Sequence, residues 1–372
     1  MLVFANKCYW VIVLLVFWAV EVYAQEVITI PQSTSSAQQT LTQRWEWAHQ
    51  EAQRRNIQGS YWIGYSIVQL MREDSFYGSF SSDARQLKTL EEILFGTTHQ
   101  SYRRDRDYIE DPSARFKLVQ KDIAVLFRYQ LQSGISGKPE KIAATNIGLY
   151  FDNLNLPIIW VGGSTDEESV EFLTGHYEQA VSIDVKGTIL SVLSLYQRSV
   201  KVLELLKNVV QGRESEKLRK KAAVYLGRFE DNATLNLLKE IAESDRSTEV
   251  AESAVFGISR MENEASLDVL IALARTAKRD GVRKKAVYSL SQYASDKVMS
   301  TLTDIVLNDN DLQLQKHTVY ALSRMKRDDT IPQLISLAKT HRNNEIRKYA
   351  IYMLGQSKDE RALDALINLV LE

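Results

Sequence analysis

One interval dominates this chain: apolar residues return every 32 positions from residue 218 onward. Leu218, Val250, Val282, Leu314 and Ile346 form one column; Ala222, Ala254, Ala286, Thr318 and Ala350 form a second; Leu226, Ile258, Leu290, Leu322 and Leu354 form a third. Three more columns follow: Leu235, Leu267, Met299, Ile331 and Leu363; Leu238, Leu270, Leu302, Leu334 and Leu366; Ile241, Leu273, Ile305, Leu337 and Leu369. Of these 30 positions only Thr318 is not apolar, where ordinary composition would fill about half. The first three columns lie four residues apart and the last three lie three apart, and both spacings keep side chains on one face of an α-helix. Ser215, Ser247, Asp311 and Asn343 stand three residues before the first column, where a helix N-cap belongs. Gly227 and Asn232 interrupt the pattern between the two sets of columns. Each unit therefore reads as two antiparallel helices sharing one apolar seam. A single pair cannot bury that seam, so the units must stack.

Weaker echoes precede the regular units. Val185, Ile189 and Leu193 anticipate the first set of columns, and Leu203, Leu206 and Val209 the second. Residues 157–173 read as a further degenerate unit, with Val170 and Leu173 on its second helix. The expected fold is mainly α. It is a right-handed α-solenoid of about seven two-helix units over residues 156–372, the first unit serving as a cap, preceded by a small α+β domain over residues 25–155.

The units lack the T-P-L-H signature of ankyrin and the Trp, Gly and Pro marks of the tetratricopeptide repeat. "IRKYAIYMLGQSKDERALDALINL" (346–369) and "LRKKAAVYLGRFEDNATLNLL" (218–238) instead resemble the short HEAT-like repeat of phycobilisome lyase-type proteins. The resemblance covers residues 157–372 and implies the stacked-helix fold. It also implies, through relatives that attach a chromophore, a lyase activity. No residue here supports that chemistry, and a repeat fold does not carry function.

The front of the chain has no repeat. "TQRWEWAHQEAQRR" (42–55) reads as an amphipathic helix carrying Trp45, Ala48 and Ala52 on one side. "YWIGYSIVQL" (61–70) alternates Tyr61, Ile63, Tyr65 and Ile67 on one face, as a half-buried strand does. Residues 123–130 and 141–151 read as two further strands, with "SGISGK" (133–138) as a hairpin turn between them. Residues 89–96 form a short helix closed by Gly96, and residues 98–116 read as a charged, exposed loop.

The extreme N-terminus has the layout of a secretory signal. Lys7 precedes an apolar run from Cys8 to Val20, and Val22 and Ala24 occupy the −3 and −1 places of a cleavage site. The run is shorter than the roughly 20 apolar residues of a membrane span. The expectation is removal of residues 1–24, export to a periplasm or another exported space, and no membrane-spanning segment afterwards; the alternative is retention of the segment as an N-terminal anchor. Cys8 is the only cysteine, so the chain after residue 24 offers no disulfide, thiolate nucleophile or Cys-based metal site.

The five histidines (His49, His99, His176, His317 and His341) show neither the H-E-x-x-H spacing nor a His-Glu step. Gly137-Lys138 lacks the earlier glycine and the following Ser/Thr of a phosphate-binding loop. No catalytic residue, metal ligand or cofactor is assigned. Asp83, Arg85, His99, Arg103 and Arg104 are the polar residues that a site in the front domain could draw on.

Two features bear on partners. Basic residues recur after the first column: Arg219, Lys220 and Lys221; Arg283, Lys284 and Lys285; Lys316; Arg347 and Lys348. They read either as a stripe for an acidic partner or nucleic acid, or as a ladder pairing with Glu216, Glu249, Asp280, Asp311 and Glu345, and the ladder is favoured. The column Phe256, Tyr288, Tyr320 and Tyr352 reads as packing between units. In the last unit, Ile367, Val370 and Leu371 stand where an earlier unit is polar, which points to a docking end. The net charge of −1 gives no reason to expect nucleic acid. The functional expectation is thus an exported, non-enzymatic scaffold that binds another protein, self-association through the C-terminal repeat being one form. The alternative is a ligand-binding or catalytic front domain that the repeats merely position. Ile367, Val370, Leu371, Arg283, Lys284, Arg347 and Lys348 are the candidate contact residues.

Overall fold

A computed structural model of the chain describes residues 26–30, 39–78, 88–96, 118–132, 135–261 and 263–371. The expected signal segment, the charged loop at 98–116 and the residues Asp83, Arg85, His99, Arg103 and Arg104 lie outside the described residues. Among the described residues no helix is long and apolar enough to cross a membrane. The chain divides into two compact parts, residues 1–189 and residues 190–372.

The N-terminal part is built on one mixed sheet. Strand β2 (Ser60–Arg72) pairs antiparallel with β3 (Leu118–Gln132) along its whole length, from Ser60↔Gln130 to Arg72↔Leu118. Strand β5 (Lys141–Asn146) flanks the other edge of β3, and β4 (Ile135–Ser136) pairs antiparallel with the end of β3. On the far side, β6 (Ile158–Gly163) lies parallel to β2, and β1 (Val27–Thr29) lies parallel to β6.

Period-two alternation gives this sheet two apolar faces. Tyr61, Ile63, Tyr65 and Ile67 are fully buried together with Ile123, Val125 and Phe127. Helix α1 (Leu41–Arg54) starts at a capping box between Thr40 and Gln43 and buries Trp45, Ala48 and Ala52 as the sequence predicts. The Trp45 ring meets Phe127 edge-on at 5.1 Å. It lies 4.7 Å from Phe172 of helix α3 (Asp166–Gln179). The opposite face carries Trp62, Ala124, Leu126, Ile158 and Trp160, which form one cluster with Leu90, Ile93 and Leu94 of helix α2 (Leu90–Phe95). That helix is closed by Gly96 at φ 83°, a left-handed position that glycine accepts without strain.

This arrangement corrects the expected boundary at residue 155. Residues 157–173 are not a repeat unit, because Ile158–Gly163 is a strand held between β1 and β2, and Val170 and Leu173 face inward from the helix after it. The run Ile158, Ile159, Trp160, Val161 is buried at every position, as suits a strand covered on both faces.

A half-buried histidine sits at the aromatic core. His49 Nδ1 lies 2.9 Å from the Tyr61 hydroxyl, and its ring stands edge-on to Tyr129 at 4.6 Å. Burial, with a smaller contribution from the neighbouring His176, holds His49 down at about 4 from its ordinary 6.5. The folded pKa therefore lies below the unfolded one, and the unfolded chain takes up the proton first. Stability is complete above pH 6.5 and declines as the pH falls toward 4, by at most about 3 kcal/mol given that the ring is partly exposed. Urea unfolding of the N-terminal part across this window should show the decline, and His49→Phe should flatten it. An identical pH slope in the variant would remove His49 from the account.

The repeat part follows the 32-residue columns. Helix α4 (Ile183–Leu193) spans the boundary of the two parts and α5 (Val200–Gln211) follows it; α6 (Glu216–Leu226) then pairs with α7 (Asn232–Ser244). The pairs α8 (Thr248–Ile258) with α9 (Glu264–Thr276) and α10 (Asp280–Leu290) with α11 (Asp296–Asn308) come next. The last are α12 (Leu312–Ser323) with α13 (Thr330–Thr340), then α14 (Asn344–Gly355) with α15 (Glu360–Leu371). These are five pairs among the described residues, with α4 and α5 ahead of them, and the earliest expected unit is the strand and helix corrected above. Every member of the first three columns is buried, and Thr318 satisfies its hydroxyl by donating to the Leu314 carbonyl at 2.8 Å. Ser247, Asp311 and Asn343 cap their helices by accepting from the backbone N–H of Val250, Gln313 and Glu345. Ser215 stands at its N-cap without that bond.

The first helices of successive pairs lie directly against one another, whereas the second helices scarcely meet. The first-helix layer is thus the tighter one. Its closest approach is between α6 and α8. A Cβ placed on Gly227 would come 2.0 Å from the Gly257 carbonyl oxygen, and one on Gly257 would come 2.4 Å from that of Ala223. Only a residue without a Cβ admits these backbones so near.

Hydrogen bonds between loops run along both edges of the stack. On one edge Arg228 donates to Ser194 O, Tyr293 to Ser259 O, Arg327 to Ala294 O and Arg361 to Asp328 O. On the other, Arg246 donates to Gly212 O and Arg279 to Asp245 O. His341, 1% exposed, accepts from the Asn343 N–H on Nδ1, so its Nε2 donates to Val306 O at 3.0 Å.

Candidate interaction surface

The basic residues after the first column separate into two kinds. Arginines at the position directly after it turn inward. Arg219 donates through Nε to the Val210 carbonyl at the end of α5 and through its terminal nitrogen to Asp245 beyond α7. The pair is buried, with side chains 5% and 7% exposed. Arg283 repeats the arrangement two units later, donating to Ala274 O and pairing with Asp309. Burial alone would raise the Asp309 carboxyl, but Arg283 and the Asp311 N–H hold it below the usual carboxylate range. Arg347 donates to the carbonyls of His341 and Arg342. Arg283 and Arg347 are therefore ties within the stack rather than free contact residues. The acids that hold the first two stand after the second helix, not before the first as the sequence suggests. The favoured ladder is right in kind and wrong in partner there, while Lys316 does reach Glu345 at 3.3 Å.

Lysines one and two positions further on face outward. Lys348 is exposed, and Lys220, Lys284, Lys285 and Lys316 are half-buried. One helical turn beyond Lys284, Lys316 and Lys348 stand Tyr288, Tyr320 and Tyr352, with Phe256 at the same place in α8. These four rings are 37% (Phe256), 42% (Tyr288), 37% (Tyr320) and 56% (Tyr352) exposed, which corrects the reading of this column as packing. The Lys285 ammonium bridges two of them, 5.0 Å from the Phe256 ring and 6.0 Å from the Tyr288 ring. Lys316 and Lys348 together hold Glu345 below its ordinary pKa. The first-helix layer thus displays a row of rings with ammonium groups beside them.

At the last helix the pattern rotates. Ala362 and Ala365 turn inward, while Leu363, Ile367 and Leu371 are 60%, 50% and 79% exposed and form one stripe at a spacing of four. The Val370 side chain lies outside the described residues.

The N-terminal part holds a cleft of about 580 Å³ between the sheet and the loop after β5. Trp160, Gly162 and Gly163 form part of its wall, with Glu73, Lys121 and Asp122 among its charged lining. Among the described residues no group of three or more His, Cys, Asp or Glu is placed to hold a metal ion.

Comparison with known proteins bears on the repeat part. Residues 237–323 and 299–372 match the family model of HEAT repeats. Among solved structures, the chain is similar to the complex of CpcE and CpcF of phycocyanin lyase from Nostoc sp., with 14% identity over 42% of this chain and 99% of that one and a TM-score of 0.32. It is also similar to human deoxyhypusine hydroxylase, with 19% identity over 54% and 77% of the two chains and a TM-score of 0.24. A third likeness is to YibA from Escherichia coli, with 19% identity over 55% and 74% and a TM-score of 0.34. No curated protein matches the chain.

Proposed function

We propose that this HEAT-repeat chain is an exported, non-enzymatic scaffold that binds another protein along the first-helix layer of its stack. The observation that carries the reading is the exposed ring repeated in four successive units, Phe256 and Tyr288 beside the Lys285 ammonium and Tyr320 and Tyr352 each one helical turn beyond a lysine. Aromatic side chains are enriched where proteins bind one another, and extended repeat surfaces serve that use. Export rests on the short apolar segment and on Val22 and Ala24. The test is cross-linking and capture from the exported fraction with the full chain as bait. A specific protein partner is expected, and its loss on replacing Tyr288 and Tyr320 by Ser places it on this layer. Recovery of the chain only in the cytosol, or of no partner, would sink the reading.

The stripe Leu363, Ile367 and Leu371 supports a second contact, with another copy of the chain. Burying each such side chain is worth roughly 1.5–3 kcal/mol. Light scattering of the native chain should therefore report a dimer, and Ile367→Lys with Leu371→Lys should return it to a monomer with the melting temperature little changed. A native chain that stays monomeric at high concentration contradicts this contact.

A further inference from the structure

Resting on the scaffold reading, we propose that the first-helix layer recognises an acidic segment in polyproline II conformation, with proline at every third position and carboxylates between. The geometry of the row supplies the period. Packed helices lie about 8–10 Å apart, and the rings recur once per first helix, so neighbouring rings are separated by about that distance. A polyproline II helix has three residues per turn and rises about 3.1 Å per residue. Its every third residue therefore returns to the same side after roughly 9 Å. A β-strand returns its side chains to one face every second residue, at roughly 7 Å, and falls out of step by the second ring.

The chemistry of the row supplies the rest. Aromatic-lined grooves take proline because the ring packs flat against it and the extended segment is already ordered. The flat aromatic surface here is half-exposed at each step, from Phe256 to Tyr352. Charge decides the residues between the prolines. Lys284, Lys316 and Lys348 each precede a tyrosine by one helical turn, and Lys285 lies over two rings. The arginines of the same stretch are committed to internal acids. Lys316 and Lys348 share the single carboxylate of Glu345, and Lys284 and Lys285 add two further ammonium groups, so the row keeps an excess of positive charge that carboxylates at the two outward positions of each turn complement.

The probe is a synthetic peptide of repeating Pro-Glu-Glu, measured by fluorescence anisotropy against the full chain. Repeating Gly-Glu-Glu, repeating Pro-Lys-Lys and a single-stranded oligonucleotide are the comparisons. Pro-Glu-Glu should bind with an affinity that falls as salt rises, and the others should bind at least about tenfold more weakly. Tyr288→Ser with Tyr320→Ser should weaken it by about tenfold or more. Lys284→Glu with Lys316→Glu should do the same independently, should the tyrosine variant fold poorly. Equal binding of Gly-Glu-Glu would reduce the surface to a charge effect and overturn the proposal. Tighter binding of the oligonucleotide would overturn it in favour of nucleic acid, and unaltered affinity in a folded variant would move the site elsewhere. If the bait captures a protein through this layer but Pro-Glu-Glu does not bind, this inference fails and the scaffold reading stands.

Discussion

Replacement of Arg219 by Ala should destabilise the repeat part by about 3–5 kcal/mol, the usual cost of leaving a buried charge without its partner. The guanidinium is almost fully enclosed, and it satisfies both the end of α5 and the Asp245 carboxylate. Its removal strands that carboxylate in a site 7% exposed and leaves the Val210 carbonyl without its donor. The same change at Arg283, whose pair is 14% and 16% exposed, should cost less. Urea unfolding of both variants provides the comparison. The double variant Arg219→Ala with Asp245→Ala should recover part of the loss, since no charge is then left alone. Equal, small effects at Arg219 and Arg283 would show that the enclosure has no energetic consequence.

Gly227→Ala is the second large effect. The added methyl would meet the backbone of Gly257, 2.0 Å from its carbonyl oxygen and 2.6 Å from its carbonyl carbon. Backbone cannot rotate aside as a side chain can, so α6 and α8 must separate. Overpacking of this kind costs roughly 1–3 kcal/mol or more. Gly355 provides the contrast, because a Cβ there meets nothing within 4 Å. Gly355→Ala at the end of α14 should be neutral or should stabilise by about 0.4–1 kcal/mol, through the unfolded chain. Hydrogen exchange should locate the Gly227 effect in α6 and α8. A Gly227→Ala protein as stable as the native chain would mean that the two helices are not held at this distance.

The stacked helices were legible because each column repeats five times, and repetition averages out the noise of any single stretch. Thr318 could interrupt its column harmlessly, since a helix lets its hydroxyl reach back to Leu314 O. The strand at Ile158 was misread for the opposite reason. It occurs once, and a short apolar run followed by Val170 and Leu173 suits a buried strand and a worn helix pair equally. Only pairing with β1 and β2, distant in sequence, decides between them. The arginine partners were hidden by distance as well. Each acid stands 26 residues after its arginine, well outside any local window. One signal was nevertheless present: Arg219 goes with Asp245, Ala251 with Ala277 and Arg283 with Asp309, so the two positions change together from unit to unit. The exposed rings could not be told from packing by spacing alone, because periodicity reports which residues share a face and not whether that face is covered.

The hydrogen bonds that edge side chains give to main-chain carbonyls of the preceding unit all point the same way, while the pairs Arg219–Asp245 and Arg283–Asp309 run forward. Arg228, Arg246, Arg279, Tyr293, Arg327, His341 and Arg361 each reach back to a carbonyl that precedes them by about one unit. During synthesis the acceptors therefore leave the ribosome before their donors, and each newly made helix pair meets a partner edge already in place. Growth from the N-terminal side is the order in which domains generally form on the ribosome, and here the wiring itself has that polarity. A nascent chain halted after α11 has each of these carbonyl-directed donors already matched, with Arg283 still awaiting its acid, Asp309. The reverse fragment, beginning at α12, carries Arg327 and His341 with their acceptors Ala294 and Val306 missing. Stalled-chain proteolysis should find the first resistant and the second open, an asymmetry that a stack of interchangeable units would not have.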